Sequence, residues 1–271
     1  MKKYLLIILA FLSVSLLAFF VFAPAFRGEL QINPIIQLGN FEIRWYGLTM
    51  ALAVLVSYFF ARKYSWRFGI SAQTVDDYSF WAVIVSILGA RLYFVLFNLD
   101  YFLSRPSEIY KVWHGGLAIY GGILAGLAFT YFYSRKKAFK FSQLFDLMAL
   151  SLPLGQAIGR LGNFFNQEAY GTTTDLPWKM YVSADNQYHH PAFLYEIILD
   201  LLIFGVLFRL MGKTKNGAIG LLYLIMYSVG RFFIEAIRTD SMMFQAFKIN
   251  QIVAFLLFII CSIALYRRVK N

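Results

Sequence analysis

Near the middle of the chain, the stretch Ser151–Gly171 reads SLPLGQAIGRLGNFFNQEAYG and loads one end of an apolar run with Arg160, Asn163, Asn166, Gln167 and Glu168. At helical spacing Arg160, Asn163 and Asn166 or Gln167 share one face. A guanidinium flanked by amides is a donor set for an anion. An arginine beside hydrocarbon costs roughly 2.5 to 3.5 kcal/mol on insertion scales, and no acidic residue lies one turn before Arg160. Two readings are open, a snorkelling arginine near a helix end and an anion site; the amides favour the second. Gly155, Gly159 and Gly162 strip a neighbouring face of side chains, so that another helix or a ligand can come close.

Three further constellations carry polar chemistry. Arg231, Glu235 and Arg238 recur at i, i+4 and i+7 and form one stripe. The stripe is either a salt bridge locking two helices or a source of surplus positive charge, since one carboxylate does not neutralise two arginines. In Trp113–Gly122, paired glycines flank Tyr120. Ala118, Gly122 and Gly126 form a small-residue ridge of the kind used in helix packing, and Tyr120 is either an interfacial tyrosine or a proton acceptor. His114 in this stretch is a lone histidine. His190-Pro191 opens a run carrying Glu196 and Asp200 at i, i+4, two carboxylates able to balance Arg160 or Arg91.

Other chemistries lack their residues. There is no HExxH, no CxxC, no nucleotide-type phosphate loop and no Gly-x-Ser-x-Gly nucleophile. No metal site and no cofactor is expected. Cys261, the single cysteine, lies in an apolar run and forms no internal disulfide. Arginine, amide, tyrosine and glycine together suit binding a phosphodiester head group and stabilising its charge as a bond breaks.

These side chains must be positioned by a membrane fold. Of 271 residues, 60% are hydrophobic and 14% charged, and the mean hydropathy is +0.62. That composition is of a polytopic membrane protein. The net charge of +11 does not indicate nucleic acid, because the cations cluster in alternate loops. Eight apolar runs are expected: Tyr4 to Ala23, Trp45 to Ala61, Tyr78 to Phe97, Leu117 to Tyr133, Leu144 to Phe165, Phe193 to Leu210, Ala218 to Ile237 and Ile252 to Tyr266. The first resembles a signal peptide but exceeds its usual core length and has Pro24 at the would-be cleavage site, so a retained helix is expected. The stretches Arg27–Asn40 and Gly171–Pro191 read as a polar link and a polar loop. Lys/Arg clusters at Arg62–Arg67, Arg135–Lys140, Arg209–Lys215 and Arg267–Lys270 put both termini in the cytoplasm and the Arg160 cluster at the outer leaflet. One transmembrane domain over 1–271 is expected, all-α, without linkers.

The segment Gly159-Arg160-Leu161-Gly162-Asn163-Phe164-Phe165-Asn166-Gln167-Glu168-Ala169-Tyr170-Gly171 resembles the signature of the prolipoprotein diacylglyceryl transferase family, G-R-x-G-N-F-x-N-x-E-x-x-G. Supporting blocks are Arg44–Leu48, the Gly-Gly block ending at Tyr120, His190–Glu196 and Gly230–Arg238. The resemblance runs from about Asn33 to the C-terminus. It implies a polytopic integral membrane helical bundle of seven transmembrane helices in 33–271, with residues 1–30 as one extra N-terminal apolar helix. It places the protein in the bacterial cytoplasmic membrane, with its active site toward the extracytoplasmic leaflet.

The resemblance also implies a reaction. A diacylglyceryl group moves from phosphatidylglycerol to the thiol of a lipobox cysteine in a prolipoprotein signal peptide, releasing glycerol 1-phosphate, in the first step of bacterial lipoprotein lipidation. Thiolate attack needs deprotonation of a group with a pKa of about 8.5, and the departing phosphate needs stabilising. By this resemblance Arg160 with Asn163 holds the phosphate, Arg231 stabilises the leaving group or thiolate, and Tyr120 relays the thiol proton. A tyrosine of pKa about 10 needs a nearby cation for that role, which Arg231 or Arg160 would supply. Glu168 and Glu235 orient the arginines, and Tyr46, Gly171 and Arg238 complete the substrate site. In one branch of the family a histidine stands where this chain has Tyr120. The competing class is a membrane anion or lipid transporter, with the arginines lining a path.

Overall fold

A computed structural model describes residues 18–137 and 139–270. Most of the expected helix Tyr4–Ala23 lies outside the described residues; from Ala18 to Phe26 the chain is helical. Seven helices of 18 residues or more follow among the described residues: α1 Trp45–Tyr64, α2 Ala72–Leu96, α3 Ile119–Lys136, α4 Phe141–Asn166, α5 Ala192–Leu210, α6 Ala218–Ile237 and α7 Ile249–Lys270. They match the second to eighth apolar runs. α2 starts six residues ahead of the expected Tyr78, at Ala72. The Ser71 hydroxyl caps it, accepting from the Thr74 amide at 3.1 Å.

Among the described residues, four helical segments are long and apolar enough to cross a membrane: Trp45–Phe68, Ala72–Leu96, Ala218–Ile237 and Ile249–Lys270. The protein is thus a mostly helical, polytopic membrane protein. Of the remaining long helices, α4 carries Asp146 and Arg160, and α5 carries Glu196, Asp200 and Arg209.

Among the described residues, three two-stranded antiparallel hairpins accompany the helices of this mostly helical chain. β1 Ile35–Leu38 pairs with β2 Phe41–Arg44, β3 Met180–Val182 with β4 Gln187–His189, and β5 Met243–Phe244 with β6 Phe247–Lys248. Strands of two to four residues are too short for alternation of apolar side chains to announce them. Local turn geometry makes them: Gly39, at φ +60°, supplies the left-handed backbone between Leu38 and Phe41.

The described residues form two compact units, one gathering 18–55, Pro153–Val206 and Leu224–Ala264, the other Val56–Leu152, Leu207–Tyr223 and 265–270. In the first unit, α4 lies against α1 at the glycines. A Cβ on Gly162 would stand 2.6 Å from the Tyr46 ring and 2.8 Å from the Thr49 hydroxyl oxygen. Trp45 stacks on Phe165 at 4.8 Å between centroids. Ala25, Phe164, Met180, Val182 and Phe193 form a buried core, with Phe22 and Phe26 packed against it. The segment preceding the expected transferase body therefore helps to seat the end of α4.

In the second unit, α2 and α3 meet along small residues. A Cβ on Gly121 would lie 2.4 Å from the Gly89 carbonyl oxygen, and one on Gly89 2.2 Å from Ala125 Cβ. The Tyr78 hydroxyl joins Thr130 at 2.7 Å across the same interface. The buried Asp146 carboxylate of α4 accepts the amides of Gly217 and Gly220 at 2.5 and 2.8 Å, capping the N-terminus of α6.

Candidate active site

Pro191 stops the β4 strand and opens α5, where an absent N–H costs nothing. One turn in, Glu196 is only 1% exposed. Its carboxylate is the hub of an arginine cluster. Arg160 of α4 pairs with it directly, Arg231 of α6 reaches it at 2.5 Å, and Arg238, just past α6, at 2.9 Å. Arg231 also pairs with the fully buried Glu235 at 2.5 Å, and the Asn250 amide donates to Glu235 at 2.8 Å. Arg238 grips Asp240 with two parallel bonds of 2.8 and 2.6 Å.

This arrangement corrects the expectation of surplus positive charge on the α6 stripe. Glu196, from another helix, and Asp240, from the following loop, bring the carboxylates facing these arginines to three. Burial alone would raise the Asp240 carboxyl's pKa, but the Arg238 fork holds it below the ordinary value. Burial likewise works against the Arg238 charge, and Asp240 and Glu196 override it, raising that pKa.

The backbone around Arg238 is fixed as carefully. Lys248 donates to the carbonyls of Glu235, Ala236 and Arg238 at 2.8, 3.0 and 2.6 Å, closing the C-terminus of α6. Gly171 forms a bridge with Arg238. Its amide donates to the His190 carbonyl at 2.8 Å, and the Thr172 amide donates to the Ile237 carbonyl at 2.8 Å. A Cβ on Gly171 would stand 2.9 Å from His190 Cβ and 3.0 Å from the Ile237 carbonyl oxygen. Gly171 thus lets the loop run close beside the arginine stripe.

The signature segment divides its side chains. Arg160 joins Glu196. Asn163, largely buried, donates to Glu168 at 2.9 Å, and Asn166 donates to the same carboxylate at 3.3 Å. Gln167 has left the helix at φ +50°, and its side-chain oxygen accepts from Ser183 in the β3–β4 turn. The expected common face of arginine and amides therefore ends before Gln167. Glu168 braces two amides, and Glu235 pairs with Arg231 at 2.5 Å. Tyr46 flanks Gly162, partly exposed.

Arg160, Arg231, Glu235 and Arg238 are thus brought together around Glu196, and Gly171 lies opposite Arg238 in a backbone bridge. Tyr120 belongs to the second unit, in the first turn of α3. Sequence reasoning named Glu196 only as a balancing charge and passed over Asp240, Lys248 and Asn250. For Glu196 the signal was present, a carboxylate in an apolar helix with no cation within one turn of it along the helix. Asp200, one turn further along α5, is 1% exposed, and among the described residues neither of its oxygens has a hydrogen-bond partner.

A cluster of this kind binds anions by exchange: an incoming phosphate replaces a carboxylate oxygen on a guanidinium that is already oriented and desolvated. Arg160 is the most open of the three, its side chain 24% exposed against 14% for Arg231 and 10% for Arg238.

Comparison with known proteins gives the family. Residues 33–267 match the family model of prolipoprotein diacylglyceryl transferase. The chain is 44% identical over 271 residues to the phosphatidylglycerol–prolipoprotein diacylglyceryl transferase of Fervidobacterium nodosum, covering 96% of this chain and 93% of that one. The protein of the same name from Thermotoga maritima is 42% identical, with 96% and 94% covered. That of Listeria monocytogenes is 38% identical, with 90% and 93% covered. The chain belongs to the prolipoprotein diacylglyceryl transferase family and is a membrane transferase.

Proposed function

We propose that the Glu196-centred arginines are where the chain binds the phosphate of phosphatidylglycerol and drives transfer of its diacylglyceryl group to a lipobox cysteine. This is the first lipidation step on a prolipoprotein signal peptide. A sulfur–carbon bond forms at the glycerol carbon bearing the phosphate. The carbon–oxygen bond breaks, and its electron pair leaves on the phosphate of glycerol 1-phosphate.

Arg160, with Asn163 beside the Glu168 brace, holds the lipid phosphate. Arg231, oriented by Glu235, stabilises the departing oxygen or the thiolate, and Arg238 supports the same charge. Tyr120 takes up the thiol proton and passes it on. Tyr46 and Gly171 border the substrate. The observation that carries this reading is the convergence of three guanidinium groups, one from α4 and two from the end of α6, on one buried carboxylate, with Arg160 still partly open.

The working form is one transmembrane body in the bacterial cytoplasmic membrane, with α1 to α7 spanning. The site faces the extracytoplasmic leaflet. In support, basic residues fill the last turns of α1, α3, α5 and α7, alternate helices whose ends the positive-inside rule assigns to the cytoplasm.

The test is a vesicle assay with phosphatidylglycerol and a lipobox peptide, reading thioether product by mass spectrometry. Arg160→Ala and Arg231→Ala are each expected to lose about 100- to 1000-fold in rate, as for removal of one charge-stabilising donor. Undiminished rates in both variants overturn the assignment, and absence of thioether product with the purified wild type points to transport.

A further inference from the structure

Arg91 lies near the end of α2, 6% exposed. Among the described residues it has no paired carboxylate. Its guanidinium instead donates to four backbone carbonyls: Glu108 at 2.5 Å, Ile109 at 2.9 Å, Gly115 at 2.5 Å and Gly116 at 3.0 Å. It also stands 5.1 Å over the Phe102 ring. An arginine offers five N–H donors in a planar fork, and four of them are spent here on one loop. Lysine has three donors on a single atom and cannot span these carbonyls.

The loop is shaped to receive that fork. Gly115 and Gly116 have φ of +85° and +74°, a backbone form that turns both carbonyls toward Arg91. A Cβ on Gly116 would sit 2.7 Å from Arg91 Nη1 and 2.6 Å from Phe94 Cε1, so a side chain there would occupy the arginine's seat. Two residues later the Ala118 amide donates to the Ala90 carbonyl at 3.1 Å. Helix α3 then begins at Ile119, with Tyr120 its second residue. The guanidinium and the Ala118–Ala90 bond together fix where α3 starts. A slip of one residue would turn Tyr120 by about 100° around the helix axis.

We propose that Arg91 is a positioning residue for Tyr120, holding the Glu108–Gly116 loop on α2 and so setting the register and direction from which the phenol leaves α3. The proposal rests on the reading of Tyr120 as the proton relay. It assigns Arg91 no contact with substrate.

The test combines kinetics with hydrogen exchange of the full-length protein in lipid nanodiscs. Arg91→Gln is expected to lower kcat by about 10- to 100-fold, the effect of misplacing a reacting group by about 1 Å, with KM for phosphatidylglycerol unchanged. Arg91→Lys keeps the charge and is expected to restore little of the rate. Amide exchange across residues 108–118 is expected to speed up in Arg91→Gln while α4 to α6 stay protected. In a Tyr120→Phe background, Arg91→Gln is expected to cost about twofold or less, because residues acting as a unit are not additive. Gly116→Ala, which intrudes on the same seat without removing the charge, reproduces these effects and serves where Arg91→Gln does not fold. Unchanged loop exchange, a full cost in the Tyr120→Phe background, or wild-type kcat in Arg91→Lys overturns the positioning role. Full activity in Tyr120→Phe alone overturns the relay reading, whereas unchanged loop exchange in Arg91→Gln overturns the clamp.

Discussion

Arg160 on α4 and Glu196 on α5 form an ion pair in which the carboxylate is 1% exposed and the guanidinium side chain 24%. The asymmetry gives the two partners different jobs. The carboxylate, shared with Arg231 and Arg238, is a structural anchor. The arginine keeps part of its side chain open.

Replacing the anchor should therefore hurt stability more than replacing the open partner. Glu196→Gln leaves three arginines without their common carboxylate, and breaking a buried pair costs about 3 to 5 kcal/mol. Thermal unfolding in detergent should show a large loss for Glu196→Gln and a smaller one for Arg160→Ala. Equal losses would mean that Glu196 is not the hub.

Asp240 gives the cluster a defined acid limit. The Arg238 fork, working against burial, holds the carboxyl below its ordinary value. A depressed folded pKa means that its stabilising contribution is complete above the unfolded value, about 3.9, and is lost as pH falls through the lower folded value. The stability difference between wild type and Asp240→Asn should be present at neutral pH and shrink below about pH 4. A difference independent of pH across that window would remove the ionic contribution.

The two glycines where α1 meets α4 should respond differently to alanine. At Gly162 the new methyl meets the Tyr46 ring at 2.6 Å and Thr49 at 2.8 Å; at Gly159 it meets only the Met50 sulfur, at 3.2 Å. Overpacking costs typically 1 to 3 kcal/mol, whereas a flexible methionine yields. Gly162→Ala should destabilise by about that amount and Gly159→Ala by distinctly less, measured side by side in denaturant or heat.

Asp146 offers a control away from the arginine cluster. Asp146→Ala strips the α6 N-terminus of two amide acceptor contacts, and loss of a cap costs about 0.5 to 2 kcal/mol. Melting temperature should fall while the KM for phosphatidylglycerol stays at the wild-type value. A changed KM would show that the capped end of α6 communicates with the substrate site.

Length and apolar content determined the long helices, because a segment that must bury its own backbone polar groups in lipid has few alternatives to a helix. Spacing alone placed Arg231, Glu235 and Arg238 on one stripe, and the long signature around Arg160 identified the family. The three hairpins were not legible, since strands of two to four residues carry no periodic signal and depend on turn geometry.

Pairing was decided only by tertiary structure. Glu196 was visible as a carboxylate in an apolar helix, but the sequence left it two possible partners, Arg160 and Arg91. The fold gave it Arg160, Arg231 and Arg238, and gave Arg91 four backbone carbonyls instead. The physical reason is that a buried charge takes whatever partner packing brings within about 3 Å. That distance depends on how helices far apart in the chain come together, which local spacing does not encode.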